Sequence, residues 1–268
     1  MSIVEAGKAS MPSNPQNENI RTCGGFTMEI FRGEQTYGRR LDELRERVAR
    51  IYIRGFGLGI MQTAEEVRQS IIGEGSIFIV SKEVQDVAFS AQRLMRIPIP
   101  IDDKGSVRLA RVAFTNTRLV LPEYQDKGIG KWTMNVCEEE YKPDYFAGRT
   151  QNPAIHLGWK SLPFTGEDRP IDKDFRGEDL KSRQYRAVLW AVARTSKKPV
   201  DVYTGLAEGV YKEGETRGYS PDLTNERYVE IDKRMEALGL VRADGDTLYY
   251  IIERVEPPQN NLEQVAAS

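Results

Sequence analysis

At 268 residues, with 40% hydrophobic and 29% charged side chains, the chain has the composition of an ordinary soluble globular protein of one large or two modest domains. Its 38 basic and 40 acidic side chains leave a net charge of −2, so no overall field recruits nucleic acid or an anionic membrane. Two cysteines, Cys23 and Cys137, with no CxxC pair and a single histidine, rule out a disulfide scaffold in practice and argue against a structural zinc.

No metal cofactor is expected. The sequence has no run of eighteen apolar residues and no cationic stretch leading into an apolar one, so neither a membrane span nor a signal peptide is expected, and the default location is cytoplasmic.

Residues 1–25 form a polar tail expected to be disordered, and 26–32 alternate weakly as a first strand. Leu41, Leu44, Val48, Ile51 and Tyr52 recur at helical spacing, which predicts an amphipathic helix over 39–52. Gly55, Gly57 and Gly59 read as a flexible connection, followed by a helix over 63–72 with Thr63 and Glu66 as its capping box. Two strands follow at 76–81 and 87–94, then a loop over 98–105 and a strand over 108–121. Pro122 must end that strand. Next come Gly128 and Gly130, a helix over 131–141, a strand over 145–149 and a last short helix from about Asn152 to Trp159.

Beyond a linker at 163–173, helices are predicted over 179–195 and 225–238, the second capped by Thr224 and stopped by Gly239. Asp244-Gly245 between apolar segments signals a β-hairpin with arms at 240–241 and 247–255. Helix, helix, hairpin resembles the end of a winged-helix module; a packed extension or a homodimer contact accounts for it equally well. The tail from 257 is expected to fray.

A strand, a glycine turn and a helix point free backbone N–H groups and the positive end of a helix dipole at one spot, which suits a phosphate. Neither a Walker loop nor a Rossmann fingerprint is present. An ordinary strand-to-helix turn would use the same glycines.

Gln125-Asp126-Lys127-Gly128-Ile129-Gly130, preceded by Leu119-Val120-Leu121-Pro122, resembles the Gln/Arg-x-x-Gly-x-Gly/Ala signature of the GCN5-related N-acetyltransferase (GNAT) family. The resemblance covers about 26–165 by element order as well as motif. It implies an α+β fold: a mixed, mainly antiparallel, splayed sheet flanked by helices, here with a mainly helical C-terminal extension over 166–256 that ends in a hairpin. It also implies acetyl-CoA, or another acyl-CoA, as cofactor. Leu119, Val120 and Leu121 would line the pantetheine arm, and the amides of Lys127, Gly128, Ile129, Gly130 and Lys131 would hold the pyrophosphate. Gln125 would shape the turn, and Asn152 would complete the cofactor-binding set.

The acceptor half is less marked. The family's Asn-x-x-Ala-x-x-x-Tyr pattern would start at Asn152, but Gly158-Trp159 stands where the tyrosine belongs. His156, which can take or give a proton near neutral pH, and Tyr145 are the catalytic candidates; each is as readily a packed residue. The motif strand offers Asn116, Thr117 and Arg118 instead of a glutamate base, and Glu83 serves only if its hairpin enters the cleft.

The expected activity is acetyl transfer to an amine of a small molecule or a protein. Two alternatives remain. One is a Mom-like enzyme modifying a nucleobase amine, with Arg183, Arg186, Arg194, Lys197 and Lys198 holding nucleic acid. The other is a non-catalytic module that keeps the fold.

Overall fold

A computed structural model describes residues 19–56, 74–195, 198–210 and 226–256. The helix expected at 63–72, the caps Thr63 and Thr224, Gly57, Gly59, Lys197 and both chain ends lie outside these residues.

One sheet runs through the described chain. Its strands are β1 (Ile20–Cys23), β2 (Phe26–Arg32), β3 (Gly75–Lys82), β4 (Gln85–Pro100), β5 (Val107–Val120), β6 (Tyr145–Thr150), β7 (Thr165–Arg169), β8 (Leu206–Ala207) and β9 (Thr247–Arg254). The spatial order is β1-β2-β3-β4-β5-β6-β9-β7, with β8 pairing the end of β9. Every neighbouring pair is antiparallel except β5 with β6.

Helices cover both faces. On one side lie α2 (Ile129–Tyr141) and α3 (Pro153–Lys160), where Met134, Cys137 and Trp159 meet Phe78, Ala113, Phe146 and Tyr250. On the other lies α1 (Arg39–Phe56), whose Leu44, Val48 and Ile51 are fully buried against Ile77, Ile79 and Phe89. Each such side chain contributes about 2 kcal/mol by leaving water. The second half of that face is covered by α4 (Leu180–Ala193), through Tyr185, Val188, Leu189 and Val192 on Val112, Phe114 and Tyr145. The helix α5 (Glu226–Ala237) joins Met235 and Ile231 to Leu248 at the end of β9 and to Leu157 of α3.

Several expectations are corrected. The tail does not run to residue 25: Ile20–Cys23 pairs with β2, because Gly24 and Gly25, at φ 55° and 79°, supply the two positive dihedrals of a tight hairpin turn. The loop expected at 98–105 shrinks, since β4 continues to Pro100. Pro98 and Pro100 are tolerated there because β3 stops pairing at Arg93, so no described strand on that side asks for their N–H. The linker at 163–173 contains β7.

The largest correction concerns the C-terminal segment. No hairpin forms around Gly245. Arg242–Asp244 is a 3-10 turn closed by Gly245, and Thr247–Arg254 enters the sheet between β6 and β7. The first six residues of β9 are buried, so a strand shielded on both faces serves better than an exposed hairpin arm. Beyond 166 the chain thus adds β8, β9 and most of β7 to the same sheet as the strands before it.

Candidate functional site

The site grows out of a parting of strands. β5 and β6 pair from Val112↔Tyr145 to Thr115↔Gly148, after which β5 has no strand partner on that side among the described residues. Asn116 is the extra residue of a bulge, because Ala91 of β4 faces Thr117 while Gln92 faces Thr115. Past the bulge, Leu119 and Leu121 point their side chains toward α1, and Arg118 and Val120 point theirs toward α2 and α3.

The backbone alternates as well. The Leu121 N–H donates to the Val87 carbonyl at 3.0 Å, so the amides of Leu119 and Leu121 turn toward β4. Those of Arg118 and Val120 turn toward the opening, where the Val120 carbonyl accepts from Gln125 Nε2 at 3.3 Å. Of the strand residues expected to line a pantetheine arm, Val120 has the backbone orientation for it, with Arg118 beside it. Leu119 and Leu121 are committed to the ladder.

The strand ends in a short 3-10 turn, Pro122–Tyr124, and the chain then reverses through Asp126 at φ 60° and Gly128 at φ 76°. Only glycine takes the second angle without strain. The Gly128 carbonyl accepts the first helical bond, from the Trp132 N–H at 2.9 Å. The N–H groups of Ile129, Gly130 and Lys131 thus have no acceptor within α2, and no side chain caps them. Space above Gly128 and Gly130 is open to 4 Å around the position a Cβ would take. Lys127 and Lys131 are exposed beside it, and Lys131 Nζ reaches the Ser161 carbonyl at 3.3 Å. Open amides, a helix N-terminus and flanking ammonium groups fit a diphosphate.

Behind the turn, at the apex of the parting, lies an enclosed polar cluster. Tyr250 of β9 pairs with Gly148 of β6, and its ring crosses over Gly148, where any Cβ would collide with its hydroxyl. That brings the hydroxyl beside Thr115, at the last β5–β6 pair. The Arg118 guanidinium carbon is 5.7 Å from the centre of the Trp159 ring, and that ring is 6.4 Å from Tyr250. Arg118 Nε and Nη2 and Trp159 Nε1 are buried without a partner among the described residues. Burial pushes the Arg118 guanidinium below its usual pKa, and it pushes the Tyr250 phenol up, against the pull of the Arg118 charge. Cys137 is pushed up to about 12 by the same burial, which keeps it an unreactive thiol. Ser90, Gln92 and Thr115 satisfy one another at 2.7 and 3.0 Å.

The two catalytic candidates fall in different places. His156 on α3 is wholly buried, with Nδ1 2.8 Å from Asp168 of β7. Nδ1 is the ring nitrogen spent on Asp168, and Nε2 has no partner among the described residues. The imidazole stands edge-on to Tyr250 at 5.6 Å, so it backs that ring and reaches no acceptor in solvent. Tyr145 is not at the apex. It lies on the α4 face, stacked edge-on with Tyr185 at 5.6 Å, and its hydroxyl faces Gln184 at 3.4 Å. Burial raises its phenol to about 12.

Asn152 is spent locally, its side-chain oxygen accepting from the Ala154 N–H at 2.7 Å to cap α3. Glu83 sits exposed in the turn between β3 and β4. Tyr250 was missed because its strand is distant in sequence, and Asp168 because the segment around it reads as a linker; Gly148 within a strand was the only local hint of a close approach.

No family model matches the chain, and no curated protein matches it in sequence. Among solved structures it is similar to an aminoglycoside acetyltransferase, meta-AAC0020, from an uncultured soil metagenomic sample, at 13% identity over 44% of this chain and 70% of that one, with a TM-score of 0.32. It is also similar to the ribosomal-protein-S18-alanine N-acetyltransferase from Escherichia coli, at 10% identity over 87% and 97% of the two chains and a TM-score of 0.38. A GCN5-related N-acetyltransferase from Kribbella flavida matches at 16% identity over 54% of this chain and 34% of that one, also with a TM-score of 0.38. These overlaps are partial, and the splayed α+β architecture stands on the strand order and the parting of β5 from β6.

Proposed function

We propose that the chain is an acyltransferase that takes acetyl-CoA at the Gly128–Gly130 turn and passes its acetyl group to an amine of a small molecule or a protein. The observation that carries this reading is the row of open amides, Ile129 to Lys131, at the mouth of a parted strand pair. Its link to that cofactor is the Gln125-to-Gly130 motif. Bound there, the cofactor supplies an activated thioester.

The residues of the chain do the rest. The Ile129, Gly130 and Lys131 amides hold the diphosphate, with Lys127 and Lys131 adding charge. The backbone of Arg118 and Val120 offers an edge along the opening. The enclosed cluster at the apex excludes water from the reacting end.

A nucleobase acceptor has less behind it. Arg183 is paired with Asp103, Arg186 bonds the Phe175 and Gly177 carbonyls, and Arg194 lies over Trp190. Those side chains are occupied locally, and the net charge is −2.

Calorimetric titration with acetyl-CoA tests the reading on the wild type and on Gly130→Glu. Gly130 has ordinary helical geometry and open space above it, so a side chain is accommodated while its carboxylate stands in the diphosphate's place. The wild type is expected to bind at micromolar concentrations or tighter. The variant, still folded, is expected to bind at least 100-fold more weakly, a difference of about 2.7 kcal/mol. Equal binding, or none by the wild type, would remove the turn from the mechanism.

A further inference from the structure

The apex cluster has a surplus of donors. Arg118 Nε and Nη2 and Trp159 Nε1 are buried without a hydrogen-bond partner of good geometry among the described residues, Trp159 Nε1 lying beside the Tyr250 hydroxyl, and no carboxylate among the described residues lies within ion-pair distance of Arg118. A guanidinium offers five N–H groups and no acceptor, and it keeps its proton in a protein interior. Holding such a cation unpaired is unfavourable, and comparable cations among the described residues are met: Arg47, Arg169 and Arg254 all face carboxylates. An acceptor brought from outside would complete the set.

The acceptor's chemistry follows from the neighbours. Thr115 is already bonded to Gln92, and Cys137 is an unionised thiol. An indole N–H donates a hydrogen bond but gives up no proton, so Trp159 is no acid. The Tyr250 phenol is held protonated by burial. The cluster is built to stabilise negative charge.

We propose that Arg118, assisted by the Trp159 indole N–H, is a catalytic residue that holds the leaving sulfur as a thiolate, an inference that rests on the thioester reading above. When an amine takes an acyl group from a thioester, a C–N bond forms and the C–S bond breaks. The electron pair of the C–S bond leaves on sulfur, and the proton of the amine passes to solvent. A cation fixed in advance beside the sulfur meets that charge as it develops and needs no rearrangement to do so. The step then proceeds without a general acid, in keeping with tryptophan at position 159.

The thiol form of CoA tests this without any acceptor. The absorbance of its thiolate, followed against pH on the wild-type protein, is expected to show ten-fold or more thiolate at pH 7 than free CoA does, since an opposite charge at contact range favours the ionised form. Arg118→Met is expected to bind CoA within a few-fold of the wild type and to lose the excess thiolate, while Arg118→Lys keeps part of it. Should the methionine variant fail to fold, the wild type alone decides: its affinity for CoA should rise from pH 6 to pH 8, while its affinity for desulfo-CoA should not. Bound CoA with an unshifted thiol overturns the role of Arg118 and leaves the donor site standing. Failure to bind CoA overturns both.

Discussion

Arg47 and Arg118 make an instructive pair. Each guanidinium packs against the central sheet, Arg47 under α1 and Arg118 under α3, yet their company is opposite. Arg47 is saturated: it meets Glu29 at 2.6 Å, Asp86 at 2.7 and 3.0 Å, and Ser81 at 3.3 Å. Burial alone would lower its pKa, but the bonds to Asp86 and Glu29 raise it. Arg118 has no counter-charge among the described residues, and burial lowers it. A charge whose partners are all supplied by the fold belongs to the fold. One whose partners are missing marks the place of something that arrives.

The comparison breaks most sharply at Arg47. Arg47→Met takes from Asp86, whose side chain is 11% exposed, its main cation and leaves it Ser81 and the more exposed Arg50, at 3.5 Å. Removing one partner of such a buried pair is expected to cost about 3 kcal/mol in urea unfolding at pH 7. A loss below about 1 kcal/mol would place the pair with solvent-screened surface bridges and undo the contrast.

Acid sharpens the same point. Burial would raise the Asp86 carboxyl, but Arg47, with help from Ser81 and Arg50, holds it below the ordinary carboxylate range. With the folded pKa below the unfolded one, the stability Asp86 contributes is complete above pH 4. It is lost as the pH falls through the folded value. Wild type and Arg47→Met should therefore converge in stability between pH 4 and pH 2. A gap that stays constant over that window would show that the destabilisation comes from lost packing and not from the ion pair.

How much of this was legible in the sequence depends on the range of the interaction. The helix under β4 was readable from Leu44, Val48 and Ile51, because a 3.6-residue period is a local signal. The turn was readable because Gly128 and Gly130 follow a proline that stops a strand, and the positive φ at Gly128 is a local demand. Strand Thr247–Arg254 was not readable as a sheet insertion. Asp244-Gly245 is also a local signal, and it pointed to a hairpin; the partners that decide otherwise, Tyr145 to Thr150, lie about a hundred residues earlier. The apex cluster was hidden for the same reason. Arg118, Trp159 and Tyr250 come from three separate elements, and only the pairing of Gly148 with Tyr250 brings them together.

The smallest expected effect has the most diagnostic sign. If Arg118 waits for an anion, the protein without ligand bears the cost of desolvating it and gets no return. Arg118→Met replaces the cation by an apolar chain of similar length over the Trp159 ring. Replacing buried charge with apolar side chains is neutral or stabilising, so a gain of about 1 kcal/mol is expected in the same urea experiment. Saturating CoA should narrow that gap, because the ligand stabilises the wild type in proportion to its tighter binding of the ionised thiol. A methionine variant less stable than the wild type by 2 kcal/mol or more would show that Arg118 is held by the fold after all, as Arg47 is, and the distinction between the two arginines would collapse.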